Sequence, residues 1–131
     1  MDAIIARSEA AVQAEVRLEC ARRGVLLWRN NSGALYDSDG RLVRFGLGND
    51  SPQTNKVMKS SDLIGVGPDG RFHAYEIKEE GWVYKGDRPC TCKPKKPCTP
   101  CREKAQLAFL NLVRSKGGVA AFVTCVEDIP L

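Results

Sequence analysis

The chain has 131 residues, a net charge of +4 and both charge signs in quantity. That length suits one core of ordinary domain size. No apolar run approaches the ~20 residues needed to span a bilayer, and the first twelve residues lack a secretory signal's charged start and long apolar stretch, so the expectation is an intracellular protein without a membrane anchor.

In chain order, Arg7 to Arg23 reads as a helix. Val12, Val16 and Cys20 recur on one face, Ser8 is placed to cap the start and Gly24 to end it. Val25 to Arg29 form a short strand, Asn31 to Gly33 a turn, and Leu35–Tyr36 with Leu42–Phe45 a hairpin around Ser38, Asp39 and Gly40. Gly46 to Ser61 is mostly polar, holds Pro52 and reads as a long loop. Asp62 to Val66 and Arg71 to Lys78 are the next two strands. Trp82, Val83 and Tyr84 then read as a brief strand or as a lip over a groove. Residues 86–101 form an insertion held by cysteines, and Thr99 and Pro100 open a second helix that runs to about Lys116. Leu107, Leu110 and Val113 mark its apolar stripe, and Gly117 and Gly118 end it. Val119 to Val126 is a buried strand, and the helical crossover before it favours parallel addition to a mixed sheet. The order α-β-β-β-β-β-α-β gives an α/β fold: one domain over 1–131, a mixed β-sheet flanked by helices, and an insertion at 86–101.

The central hairpin carries the most chemistry. Pro68, Asp69 and Gly70 suit a three-residue loop that pairs Gly67 with Arg71, which sets Asp62 opposite Glu76. Side chains alternate along a strand, so Glu76 and Lys78 share a face. Two carboxylates and an ammonium converge at one end of the hairpin. Such oxygens suit a hard divalent cation, Mg2+ or Mn2+, with the Ile77 backbone carbonyl as a further ligand. Phosphodiester hydrolysis follows from that set. Lys78 acts either as an electrostatic stabiliser or as a base; the sequence leaves both open. An ordinary solvated hairpin face is the bland alternative.

Basic residues surround this hairpin in sequence. Arg29 and Arg44 end strands and can grip phosphates, and Lys56 and Lys59 precede Asp62 and can contact a backbone without reading sequence. Trp82 and Tyr84 either stack on an unpaired base or pack against a partner subunit. His73, the single histidine, reads as a strand surface residue and leaves little ground for a histidine-base nuclease.

Cys90, Cys92, Cys98 and Cys101 crowd into twelve positions, and four thiolates so spaced suit structural Zn2+. An iron–sulfur cluster and a reduced, free loop are the alternatives. Lys93, Lys95 and Lys96 would stand on the knuckle facing phosphate. From Lys85 to Lys104 there are seven Lys or Arg against two acids. Cys20 and Cys125 stand apart in apolar settings and read as core.

Ser61-Asp62-Leu63-Ile64-Gly65, then Pro68-Asp69-Gly70-Arg71, then Tyr75-Glu76-Ile77-Lys78 resembles the core of the PD-(D/E)XK nucleases, and most of all the virus-type replication and repair nuclease domain, VRR-NUC. Trp28-Arg29-Asn30-Asn31-Ser32-Gly33, Arg44-Phe45-Gly46 and Lys116-Gly117-Gly118 extend the resemblance over about residues 9 to 126. Ser61 stands where the family's signature proline would be, and the cysteine insertion is a second departure. The resemblance implies a restriction-endonuclease-like core similar to Holliday junction resolvases, with Asp62, Glu76 and Lys78 as its catalytic set. It also implies Glu9 as a first-helix acid that helps hold magnesium through water, with Gln13 one turn on contacting phosphate. Gln106 matches the family's helix glutamine, bridging Lys78 and a phosphate, with Lys104 beside it. Implied partners are branched or flap DNA in viral replication, recombination or repair, and a second copy of the chain. A non-enzymatic zinc-stabilised DNA-binding module and a sequence-specific restriction-type endonuclease are the other readings.

Overall fold

A computed structural model describes residues 6–93 and 97–130. Helix α1, Glu9–Arg22, starts where the Ser8 hydroxyl accepts the Ala11 N–H at 3.2 Å and stops at Gly24, whose φ of 81° is left-handed. It buries the expected stripe of Val12, Val16 and Cys20. Strands β1 (Leu26–Arg29), β2 (Gly33–Tyr36) and β3 (Leu42–Phe45) follow. Helix α2, Pro52–Val57, then precedes β4 (Leu63–Val66) and β5 (Phe72–Ile77). Helix α3, Thr99–Ser115, strand β6, Val119–Val123, and a 3-10 turn, Val126–Asp128, complete the described order.

Four strands form a mixed sheet in the order β1-β4-β5-β6, antiparallel except for the parallel β5–β6 pair, and β2–β3 form a separate ribbon. The acidic hairpin is therefore central. Alternation along β5 sends Tyr75 and Ile77 into the α1-side core with Leu27, Leu63 and Val123. Ala74 faces the other way, into the α3-side core with Phe109, Leu110, Val113 and Ala120. Glu76 is in step with Ala74 and faces α3.

Several details differ from the sequence reading. The 46–61 loop contains α2, which Ser51 caps at Thr54 N–H with Pro52 in the first turn. Six residues are too few to hold a helix alone; this one leans on α3, where Lys59 N–H donates to the Ala105 carbonyl at 3.0 Å. The N-cap of α3 is Cys98, not Thr99, and it lacks a side-chain cap. The buried face of α3 runs through Glu103, Gln106, Leu110 and Val113, with Ala105 and Phe109 alongside; Leu107 is only half-buried. His73 is buried rather than superficial, its Nδ1 2.6 Å from the Tyr75 hydroxyl. Cys125 is half-buried beside the 3-10 turn rather than in the core.

β4 passes so close to β1 that a Cβ on Gly65 would meet the Leu26 carbonyl oxygen at 1.8 Å. Gly65→Ala must push the strands apart, and overpacking of this kind costs about 1–3 kcal/mol. Urea unfolding should show the midpoint lowered accordingly; an unchanged midpoint would mean that the two strands are not held this tightly.

Candidate functional site

Asp62 and Glu76 meet at the open end of the β4–β5 hairpin. Gly67 N–H donates to the Arg71 carbonyl at 2.9 Å, Gly70 N–H to the Gly67 carbonyl at 3.0 Å, and Gly70 has φ 83°. This is the three-residue loop anticipated from the sequence, and it fixes Leu63 opposite Tyr75. One residue further, the acids are cross-tied to each other's strand. Asp62 N–H donates to Glu76 Oε2 at 3.2 Å, and Ile77 N–H donates to Asp62 Oδ2 at 2.9 Å. From α3, Gln106 Nε2 donates to Glu76 Oε1 at 3.1 Å.

Glu76 is 6% exposed and Gln106 8%. Burial first, and the Asp62 charge second, push the Glu76 carboxyl up to about 9; Lys78 pulls against them. That shift favours the neutral, protonated form of Glu76. Gln106 Oε1 is buried and finds no hydrogen-bond partner among the described residues. Two carboxyl groups and an orphaned amide oxygen thus face one place, and all are hard oxygen donors of the kind divalent cations take. The acids open into a pocket of about 320 Å³, with Arg44, Asn55, Lys59 and Ser60 around them.

Lys78 lies two residues along from Glu76, half-buried, with its Nζ 5.4 Å from the centre of the Trp82 ring. Trp82 is itself held. Its Nε1–H donates to Glu103 Oε2 at 3.0 Å, and it packs on Phe122 with ring centres 4.7 Å apart. Tyr84 packs on the same Phe122 at 5.9 Å. Trp82 and Tyr84, read from the sequence as stacking on an unpaired base or packing on a partner subunit, both pack on Phe122 of their own chain and stay half-buried, while Val83 between them is exposed. Glu103, only 4% exposed, also accepts the Lys85 N–H at 2.7 Å. Sequence reasoning passed over it. Its signal was its place on the 103-106-110-113 stripe, where an acid on a buried helix face needs a partner.

Other expected site residues fall at varied distances from this centre. Glu80 N–H donates to the Arg7 carbonyl, which ties the start of α1 to the chain just past Lys78. Glu9 is exposed and Gln13 half-buried on α1, which packs on the opposite sheet face from Gln106, and neither bonds to Asp62 or Glu76. Arg29 is exposed on edge strand β1. Arg44 is fixed at the pocket rim, its Nη2 donating to Asn49 Oδ1 at 2.6 Å and its Nε to the Asn49 carbonyl at 3.2 Å. Lys59 lines the same pocket and bonds to Asn55. Lys56 and Lys93 line a larger neighbouring cleft, and Lys104 is exposed on α3 outside both cavities. Lys95 and Lys96 lie outside the described residues. Ser61, in the place of the family's proline, is 1% exposed and donates its hydroxyl to the Leu63 carbonyl at 2.8 Å.

The four cysteines do converge. The Sγ atoms of Cys90, Cys92, Cys98 and Cys101 all lie within 4.8 Å of one another, a cluster able to ligate a metal. A zinc tetrahedron with ~2.3 Å bonds has edges of ~3.8 Å, within reach of that spacing. Backbone N–H groups point at the sulfurs: Thr91 at Cys98 (3.4 Å), Cys92 at Cys90 (3.4 Å) and Cys98 at Cys92 (3.3 Å). The Thr91 bond holds the Cys98 thiol down at about 6, while bonds to Cys98 and Cys90 push Cys101 up to about 12. One thiolate is favoured, and further ones need a cation to offset their repulsion.

Compared with protein-family models, curated proteins and solved structures, the chain matches none. No helix among the described residues is long and apolar enough to cross a membrane.

The raised Glu76 carboxyl has a stability consequence. Between the unfolded value near 4.5 and the folded value near 9 the native state holds a proton that the unfolded chain has lost. Stability from this group is therefore full below about 4.5 and drains away as pH rises through 9. Glu76→Gln removes the drain. In magnesium-free buffer, its melting temperature relative to wild type should climb between pH 5 and pH 9. A difference that stays flat across that range would refute the raised carboxyl.

Proposed function

We propose that the chain is a metal-dependent DNA endonuclease whose acids are Asp62 and Glu76. The observation that carries this reading is the pair itself: a buried glutamic acid beside an aspartate, with the unpartnered Gln106 oxygen, at the floor of a pocket rimmed by Arg44 and Lys59. The donor set fits magnesium or manganese, held by Asp62, Glu76 and the Ile77 carbonyl. When bound, such an ion orients and activates a water and stabilises charge on the phosphate oxygens. Arg44 and Lys59 hold the phosphate at the rim. Gln106 fixes the Glu76 carboxylate, and Lys78, steadied against Trp82, faces the developing charge. A restriction-endonuclease-like PD-(D/E)XK core and the VRR-NUC resemblance belong to this proposal, as do flap or four-way DNA and a homodimer. The exposed Leu35, Tyr36, Leu42 and Val43 of the β2–β3 ribbon offer a dimer contact in place of Trp82 and Tyr84. Glu9 enters only by the resemblance.

The second reading is a zinc-stabilised DNA-binding module without catalysis. The four-cysteine cluster and the cations around it favour this reading more directly than they favour cutting, since they need only a structural metal and phosphate contacts. Both readings share DNA binding and zinc; they part at the acids. Magnesium with linear, flap and four-way DNA separates them. On the nuclease reading wild type cuts, and Asp62→Ala or Glu76→Ala lowers cleavage by at least about a hundredfold while each still binds. Full cleavage by either variant, or none by wild type with any substrate, would leave the binding module.

Zinc in the cluster is also a proposal. Elemental analysis of the purified protein should find about one zinc per chain, and Cys98→Ser should lose it and melt at lower temperature, since metal binding there is coupled to folding. Visible absorption of an iron–sulfur cluster, or metal-free protein that melts like the variant, would overturn zinc.

A further inference from the structure

Beside the acidic pocket lies a second cleft of about 770 Å³, between α2 and the cysteine cluster. Arg44, Lys56, Lys59, Lys93 and Arg102 line it, and its other lining residues are Pro52, Asn55, Cys92, Pro97 and Cys101. Among the described residues, half of the lining is thus cationic and none of it acidic. Among the described residues none of these five cations forms an ion pair with an acid. Like charges gathered without counter-charge are unfavourable unless an anion joins them. Lys59 registers the strain: burial lowers its pKa, and the Arg102 and Arg44 charges lower it further.

The cleft and the acidic pocket adjoin, since Arg44, Asn55 and Lys59 line both. A strand lying in the cleft against Lys93, Arg102 and Lys56 would thus come, at Arg44 and Lys59, beside the pocket of Asp62 and Glu76. Its volume falls within the ~300–1,000 Å³ of sites that enclose a small ligand; that accommodates a nucleotide or two, not a double helix. Its walls hold five cations, Asn55, prolines and cysteines but no aromatic ring on which a base could stack, so most of the contacts on offer suit the sugar-phosphate backbone. We infer that the cleft between α2 and the cysteine cluster is the track of a single DNA strand, delivered by its backbone to the acids. The inference rests on the nuclease reading only for what happens at the end of the track.

The test is fluorescence anisotropy in magnesium-free buffer on the zinc-loaded full chain, with labelled oligo(dT) and a blunt hairpin duplex. Wild type should bind oligo(dT) more tightly. Lys56→Ala with Arg102→Ala should weaken that binding by about tenfold and flatten its log–log salt slope by about 1.4, at ~0.7 per phosphate lost from a single strand. Lys116→Ala, on the far end of α3, should change neither. If the double variant melts early, Lys56→Glu alone, on the exposed side of α2, should give the same loss. Unchanged affinity and slope in folded variants, or tighter binding of the duplex, would overturn the track. Magnesium-dependent cleavage measured in parallel keeps the two proposals apart. Binding through the cleft without cleavage sinks the nuclease and spares the track; cleavage with unaltered binding in the variants does the reverse.

Discussion

The burial of Glu76 beside Asp62 is the constraint on which the rest depends. Two carboxyl groups at the end of an interior hairpin are unfavourable, because an isolated charge loses its water there. The chain limits that cost in three ways. Each acid accepts a backbone N–H from the other's strand, Gln106 reaches across from α3, and Glu76 holds a proton. Every one of these requires the register set by the Gly67–Arg71 loop, because a slip of one residue would turn Glu76 into the apolar core beside α1. Asn30 secures the approach from the other side: its N–H donates to the Asp62 carbonyl at 2.7 Å and its Nδ2 to the Ser61 carbonyl at 2.9 Å.

Helix α3 joins the separate parts of the molecule. Cys98 holds its N-cap position and Cys101 lies in its first turn, so half of the cysteine cluster belongs to its start. Glu103 follows, anchoring Trp82 beneath Lys78, and then Gln106, anchoring Glu76. These four positions span little more than two turns. A metal held by the cysteines would therefore brace the same short stretch of backbone that positions both anchors. One helix would thereby make a cysteine-held metal and the acidic pocket mechanically dependent.

The sequence made the hairpin, its loop, the order of the six strands and two long helices, and the cysteine cluster legible, because each rests on local rules. Gly70 at the left-handed position and the alternation of Tyr75, Glu76 and Ile77 are read within a few residues. The rest depended on contacts distant in sequence. α2 exists because α3 lies beneath it, and six residues carry little periodicity of their own. The stripe of α3 is only half legible, because Leu110 and Val113 carry an apolar signal whereas Glu103 and Gln106, on the same buried face, do not. Trp82 offered no signal of its direction; only Phe122 and Glu103, brought close by the sheet and by α3, decide it. Glu9 was assigned by resemblance, and its exposed place on α1 leaves that assignment where it began.

The cations alone do not account for this arrangement. A protein that only grips phosphate gains nothing from two carboxyl groups beside Arg44 and Lys59; the Asp62 charge would weaken the field that attracts the strand, and Glu76 would add to that once ionised. Nor does a hairpin need them for closure, since backbone pairing from Leu63 to Val66 already holds β4 to β5. The acids are costly to both tasks unless something positive sits between them and an incoming phosphate. Gln106 fits that condition better than a purely structural one, because its amide satisfies Glu76 with one atom and leaves the other, Oε1, buried and unused. A glutamine serving only to close the core would be expected to spend both ends, since a buried acceptor without a donor is destabilising. An oxygen left spare next to two carboxyl groups is consistent with a place kept for a cation, and a cation there turns the basic cleft from a holding surface into an approach.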